Sequence, residues 1–457
     1  MPQLADAIVL KGIRRKVCGI PQDAERGSPM RRQVGRKGMG PSAFATVLLF
    51  SALVSAQERE PTLVFRNVDV FDGSRMTRGS TVLVRDGMIR AVGPDLVIPE
   101  SAHVIDGKGK TLLPGFFDAH THLGLTQGQK FLEDALTFGV TTELEMWGFG
   151  ASLALRRKMA AGGYKDLADF RTAGNGVTVP RGHPTQMGVP PFPTLAPNDD
   201  VQAFVDARLA EGADYIKVIF DHFLPTLTKQ QIEDIVAAAH RRNKLVIAHI
   251  GTQSEAHDAV AAGVDGLAHI FADSPPEPRW AEFAEQHHVF VIPTLGIVEA
   301  IESATATSGK PWWRDLPHLG SYVTPSMRQT LEAKFPPGFG AKLKLANAKA
   351  AVRALHHAGV HILAGTDAPG PGMAHGLSLH RELELLVLSG LTPLQALASA
   401  TSEPALIFGF HDRGRIAPGQ RADLLLVNGD PSTDITATRD IAGIWKLGVA
   451  VRRPRDP

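Results

Sequence analysis

Two histidines two residues apart, His120 and His122, close the run Phe116-Phe117-Asp118-Ala119-His120-Thr121-His122. On a strand, that spacing puts both imidazoles on one face, where they can reach a single metal ion. Four more groups of suitable chemistry follow, each at or near the C-terminal end of a short apolar stretch. They are Lys217 in Tyr215-Ile216-Lys217-Val218-Ile219, His249 in Val246-Ile247-Ala248-His249, His269 in Gly266-Leu267-Ala268-His269, and Asp367 in Ala364-Gly365-Thr366-Asp367. Singly, each histidine is as readily a hydrogen-bonded structural residue. Together they offer imidazole and carboxylate donors of the kind that zinc and its neighbours accept. The lone cysteine, Cys18, leaves no thiolate site and no disulfide within the chain.

Lys217 is the odd member of the set. It is the only charge in the run 215–220, and burial there penalises an ammonium and depresses its pKa. The resulting neutral amine can add carbon dioxide to give a carbamate, a carboxylate-like group able to bridge two cations. The plain alternative is a buried stem with its head reaching out past the strand end. A seventh candidate, His183, lies in the loop Pro180-Arg181-Gly182-His183-Pro184. Arg181, Tyr215 and His222 are weaker candidates for substrate recognition, while His375 and His380 read as helix-cap or packing residues.

The elements that must position these groups alternate. Apolar strand patterns fall at 114–120, 139–145, 168–173, 214–220, 244–249, 264–269, 288–294 and 360–367. Helical patterns fall at 126–138, 198–211, 228–242, 252–262, 278–287, 341–358, 376–389 and 393–408. A (β/α)8 barrel fits this alternation, and an open doubly wound sheet fits the count alone. Polar residues at the ends of many different strands favour the barrel, which gathers its active site there. The stretch 295–340, with Trp312, Trp313, Tyr322, Phe335 and Phe339, is long for a barrel connection and reads either as a lid or oligomer contact or as ordinary packing.

Before and after this region the pattern changes. Short β-like runs between Pro61 and Leu112 are separated by Asp72-Gly73 and Asp86-Gly87 turns, and 414–448 repeats the style. Such spacing suggests a small sandwich. The chain of 457 residues thus divides into a leader 1–56, a β-module 57–112, a barrel 113–411 and a second β-module part 412–457. Residues 30–56 have a basic start (Arg31, Arg32, Arg36, Lys37), an apolar run from Phe44 to Leu53 and a small-residue ending, Val54-Ser55-Ala56. That is the pattern of a cleaved secretory signal, implying a periplasmic or secreted protein with no stable membrane span. A net charge of +1 gives no electrostatic case for nucleic acid.

The order and flanks of the candidate ligands resemble the amidohydrolase superfamily. The string Leu112-Leu113-Pro114-Gly115-Phe116-Phe117-Asp118 before His120 is similar to the family's first-strand signature. Gly139-Val140-Thr141-Thr142, Ala262-Gly263-Val264-Asp265-Gly266 and Gly390-Leu391-Thr392-Pro393-Leu394 place the likeness in its imidazolonepropionase-like and Xaa-Pro dipeptidase-like group. The resemblance implies a TIM-like barrel flanked by one β-module built from both chain ends. It also implies two divalent ions, Zn2+ foremost, joined by an N6-carboxylated Lys217. One ion would be held by His120, His122 and Asp367, the other by His249 and His269. Asp367 would shuttle a proton and His183 would contact the substrate. Related single-metal deaminases carry a glutamate three residues after the fifth-strand histidine; here that position is Thr252, so the two-metal hydrolase branch is favoured. The implied activity is hydrolysis of an amide in a small molecule, such as an N-acyl amino acid or a dipeptide-like substrate. Lactone, cyclic-amide or phosphoester hydrolysis on the same site and a non-catalytic barrel scaffold are the competing readings, and a homo-oligomer is compatible with all of them.

Overall fold

The computed structural model of the chain describes residues 62–453 apart from 163, 165, 305–311 and 317–318. The export segment expected over 30–56 lies outside the described residues. Among those described, no helix is long and apolar enough to cross a membrane.

The leading strands are β1 (Leu63–Phe71), β2 (Met76–Arg85), β3 (Met88–Gly93), β4 (His103–Asp106) and β5 (Lys110–Pro114). The β2–β3 hairpin turns on Asp86 and Gly87, at φ 53° and 71°. Both central residues of that turn are therefore left-handed, as Asp-Gly favours. One residue after β5 begins β6 (Phe116–Thr121), followed by β7 (Val140–Glu145) and β8 (Asp169–Thr172) in a parallel sheet. A second parallel sheet holds β9 (Ile216–Ile219), β10 (Val246–His249), β11 (Gly266–Ala268) and β12 (Phe290–Ile292). Helices separate these strands, which are almost wholly buried, so they read in sequence as unbroken apolar runs.

The tail supplies β13 (Leu424–Asn428), β14 (Ile441–Lys446) and β15 (Val449–Ala450). They extend the leading sheet in the order β15-β14-β13-β5-β1-β2-β3, with β4 also on β1. Both chain ends thus meet at the β5–β13 pair. Where the sequence suggests a sandwich, hydrogen bonding traces one sheet of eight strands. The cause is β1, which pairs with β4 near its start and β5 near its end and bends at register shifts between Phe65 and Val70.

The eighth expected barrel strand, 360–367, forms no regular ladder. It meets β12 and β6 through isolated bridges, Val291 with Ile362 and Thr121 with Ala368. Asp367 has a left-handed φ of 62°, and Pro369 lacks an amide proton, so an extended ladder cannot run on. Three helices fall outside the sequence expectations: Gly150–Ala160, Leu295–Ala304 and Pro325–Glu332. The single helix expected over 393–408 is two, Pro393–Ser399 and Ser402–Ile407, because Thr401 leaves helical geometry at φ −138° and ψ −87°. Within 295–340, Trp313, Leu319, Val323, Met327 and Leu331 are buried in the main core, which supports the packing reading for them.

One charge cluster joins the tail sheet to β8. Asp169 accepts from Lys446 Nζ at 2.7 Å, Arg413 Nη1 at 2.5 Å and Arg421 Nη1 at 2.8 Å, and the Lys446 side chain is only 2% exposed. Burial alone would raise the Asp169 carboxyl; the three cations outweigh it and hold the group well below the usual carboxylate range. Asp169→Ala strands buried cations and should cost about 3–5 kcal/mol in denaturant unfolding. Because the folded-state pKa is depressed, this contribution is present above about pH 4 and is lost as pH falls further. The gap between wild type and variant should therefore be level from about pH 5 to 8 and narrow in acid. A variant as stable as wild type at pH 7 would show that the cluster does not hold the tail sheet.

Candidate metal centre

β6 carries His120 at its end and His122 one residue beyond it. The run 361–368 beside it delivers Asp367, whose Oδ1 lies 2.9 Å from His122 Nε2 and 3.3 Å from His120 Nε2. The ligand atoms of these three residues all fall within 4.8 Å of one another. His269, just past β11, places its ring 4.7 Å from that of His120 and 4.5 Å from that of His249, at the end of β10. His183 lies over His249, ring centroids 5.4 Å apart. Lys217 on β9 stands in register with Ile247 on β10. Its charge acts on both His120 and His269, and Asp367 acts on it in turn. All seven principal candidates converge.

The backbone is strained where they meet. His269, Thr294 and Asp367 have φ of 75°, 48° and 62°, a region that non-glycine residues occupy at a cost of about 1–3 kcal/mol each. Hydrogen bonds hold them there. Asp118, fully buried, accepts from Thr366 N at 3.0 Å, Thr366 Oγ1 at 2.7 Å and His120 N at 3.2 Å, tying the two ligand-bearing runs together. Thr294 Oγ1 lies 2.8 Å from His269 Nδ1. Below them, Glu143 and His375 form a fully buried pair at 2.8 Å.

Burial pulls the Lys217 amine down to about 7, opposed by the charge of Asp367. Burial, and after it the charge of His249, takes His183 down to about 4. His120 and His269 are held well below the ordinary imidazole value, first by burial and then by neighbouring cations. Asp367 would be raised by burial, but the bond to His122 and the charges of the surrounding histidines bring it to about 2. Neutral imidazoles around an ionised carboxylate are the protonation states a metal ion needs.

Two further observations test that fit. His122 Nδ1 lies 3.2 Å from the Trp147 carbonyl oxygen while its Nε2 faces Asp367. With Nδ1–H donated to that carbonyl, Nε2 presents its lone pair toward Asp367, the arrangement of a metal-binding histidine. Lys217 Nζ and His120 Nδ1 are buried without hydrogen-bond partners, and a bound cation with its ligands would account for both.

Other expectations change. Tyr215 is 2% exposed and donates to the Glu145 carbonyl at 2.8 Å, so it belongs to the core. His222 has a 64% exposed side chain, paired with Glu255. His380 packs between Thr438 and the Phe138 carbonyl, as expected. Asp118, Glu143 and Thr294 were absent from the sequence candidates. Asp118 shares the two-residue spacing of the histidine pair, and Glu143 and Glu145 place two carboxylates in one short strand; both signals are present in the sequence.

Gly365 lets the two ligand-bearing runs touch. A Cβ there would lie 2.5 Å from Ile292 Cγ2 and 2.9 Å from both His120 Cβ and His120 N. Gly365→Ala must push His120 aside. The expected cost is about 1–3 kcal/mol in stability, together with lower metal content in the purified protein. Unchanged metal content would show that His120 is not held by this contact.

Comparison with known proteins agrees with this geometry. Residues 111–451 match the profile of the amidohydrolase family. The chain is 23% identical over 467 aligned residues to ochratoxinase of Aspergillus niger, covering 88% of this chain and 89% of that protein. It is 26% identical over 379 residues to imidazolonepropionase of Deinococcus radiodurans, covering 79% and 88% respectively. A crystal structure of a Xaa-Pro dipeptidase with bound methionine in the active site matches with a TM-score of 0.70 at 20% identity, over 86% of this chain and 100% of that one. That likeness is one of fold, and with the family it implies a TIM-like barrel for the mixed α/β region. The chain belongs to the amidohydrolase family and is a hydrolase acting on carbon–nitrogen bonds.

Proposed function

We propose that the chain is a two-metal amidohydrolase that cleaves the amide of an N-acyl amino acid or dipeptide-like substrate. In this reading β6 to β12 and the run 361–368 close as one (β/α)8 barrel. Hydrogen bonds from Ala119 N to Ala364 O and from Leu363 N to Val291 O support closure on one side, and those from Val177 N to Lys217 O and Ile219 N to Val177 O on the other.

The observation that carries the reading is the buried, unpartnered amine of Lys217, whose charge acts on His120 and His269 and is opposed by that of Asp367. With its pKa near 7, a large fraction is neutral at physiological pH. Its lone pair adds to carbon dioxide, a C–N bond forms and one proton leaves, giving an anionic carbamate in place of a cation. Carbamylated Lys217 would then join two divalent ions, with His120, His122 and Asp367 toward one and His249 and His269 toward the other. Zn2+ suits these ligands. When bound, such ions supply Lewis acidity, which makes water a nucleophile near neutral pH and polarises the scissile carbonyl.

The chain's own groups do the rest. Asp367, ionised and beside His122, accepts a proton from the attacking water and returns it to the leaving nitrogen as the C–N bond breaks. The Gln186 side-chain amide lies 2.8 Å from His183 Nδ1. With that amide donating, the His183 proton sits on Nε2, free to bond the substrate carbonyl or carboxylate oxygen. The likeness to a Xaa-Pro dipeptidase with methionine bound in its active site supports an amide flanked by an amino acid.

Lys217→Met removes the carbamate site while nearly keeping side-chain volume. Wild type should bind about two metal equivalents per chain, and the variant should lose bound metal along with turnover of N-acyl amino acids and Xaa-Pro dipeptides. A variant that kept both ions and full turnover would refute the carbamate bridge. Wild type that held two ions yet hydrolysed only lactones or phosphotriesters would redirect the substrate assignment.

A further inference from the structure

We propose that Glu382, on the helix Leu377–Leu388, is a positioning residue for His269 and acts on it through Thr294. This rests on the metal-ligand role proposed above for His269. The Glu382 carboxyl is fully buried, and that burial raises it to about 8 against the backbone hydrogen bonds it accepts. Its two oxygens accept the backbone N–H groups of Leu295 at 2.9 Å and Gly296 at 2.8 Å, across 87 and 86 residues of chain. Those amides immediately follow Thr294, itself fully buried and at φ 48°.

A β-branched residue does not adopt that backbone unaided; it persists only where its surroundings fix it. Glu382 provides this by clamping the next two peptide groups. With its backbone set, Thr294 points its hydroxyl at His269 Nδ1, 2.8 Å away. His269 is left-handed as well, at φ 75°, so its ring direction depends on this contact. With Nδ1 engaged by the hydroxyl, Nε2 is the nitrogen left for the centre. Partners of this kind fix both ring orientation and tautomer of a metal-binding histidine. The sequence arrangement fits: Glu382 sits two residues after His380, on a helix that would otherwise only pack.

The test measures Zn2+ affinity of the purified full-length chain by competition with a chromophoric chelator, with the melting temperature of each metal-free protein recorded separately. Glu382→Gln puts an amide NH2 where an acceptor is needed. It and Thr294→Val should each weaken Zn2+ binding by about 10- to 100-fold. The double variant should be no weaker than the worse single, because both act on one ring. Thr294→Ser, which keeps the hydroxyl, should restore most of the affinity that Thr294→Val loses. The visible spectrum of Co2+-loaded Glu382→Gln should differ from that of wild type. If Glu382→Gln does not accumulate, Glu382→Asp is read in the same way. A Glu382 variant with a lower melting temperature but wild-type Zn2+ affinity and Co2+ spectrum would reduce Glu382 to a helix cap and overturn the proposal. His269→Ala keeps the two claims apart. Undiminished Zn2+ binding by that variant defeats the metal-centre reading itself. Lost binding there, with intact binding in the Glu382 and Thr294 variants, defeats only the positioning role.

Discussion

Two imidazole nitrogens face a single oxygen of Asp367, and one of those rings already has a carbonyl at its other nitrogen. Burial penalises a proton on His120, so that ring faces Asp367 with a lone pair to spare. The same centre holds a lysine that burial also presses toward neutrality. Carboxylate, neutral rings and neutral amine thus converge on a space that favours positive charge at its middle. The other features of the rim are arranged so that this unfavourable convergence holds its shape.

Three devices maintain it. The candidate histidines sit at or just past the ends of β6, β10 and β11, whose other residues are buried, so backbone movement along those strands would disturb the core. Left-handed backbone at His269, Thr294 and Asp367 turns each side chain inward at the point where regular pairing stops. Buried carboxylates then secure those turns from behind, Asp118 at Thr366 and His120 and Glu382 at the amides after Thr294. A loop could present the same ligands, but without such anchors it would lose them to thermal motion or to solvent.

Much of this was legible in the sequence because it is local. Short apolar runs ending in His or Asp marked strand ends, and the helical patterns at 228–242 and 252–262 meet helices whose starts are the capping boxes of Thr228 and Thr252. The misses have physical causes. The helix Gly150–Ala160 carries Arg156, Arg157 and Lys158 and buries little besides Ser152 and Leu153, so it shows no clear apolar stripe. The start of Leu295–Ala304 is bonded by Glu382, a residue that no local window contains. Tyr215 looked like a site residue from its place beside Lys217. It stands one residue before β9, it is buried in the core, and its hydroxyl ends on the Glu145 carbonyl. Pairings such as Asp118 with Thr366 span 248 residues and emerge only once the strands are adjacent.

The β-module is coupled to this centre more closely than a chain-end appendage would be. A single residue, Gly115, separates β5 in the mixed sheet from β6, which carries His120. The amide of Gly115 donates to Asp423 O at 2.7 Å, and that of Phe117 to Ala400 O at 2.7 Å, so tail and barrel grip the strand on either side of the junction. A Cβ on Gly115 would fall 2.4 Å from Thr141 on β7, so the junction packs directly against that strand. The strand bearing the histidine pair is thus fixed at its start by the tail sheet and at its end by Asp118 and the run to Asp367. Displacing the tail would alter where His120 and His122 stand, because the force would pass along six fully buried residues with no flexible joint to absorb it.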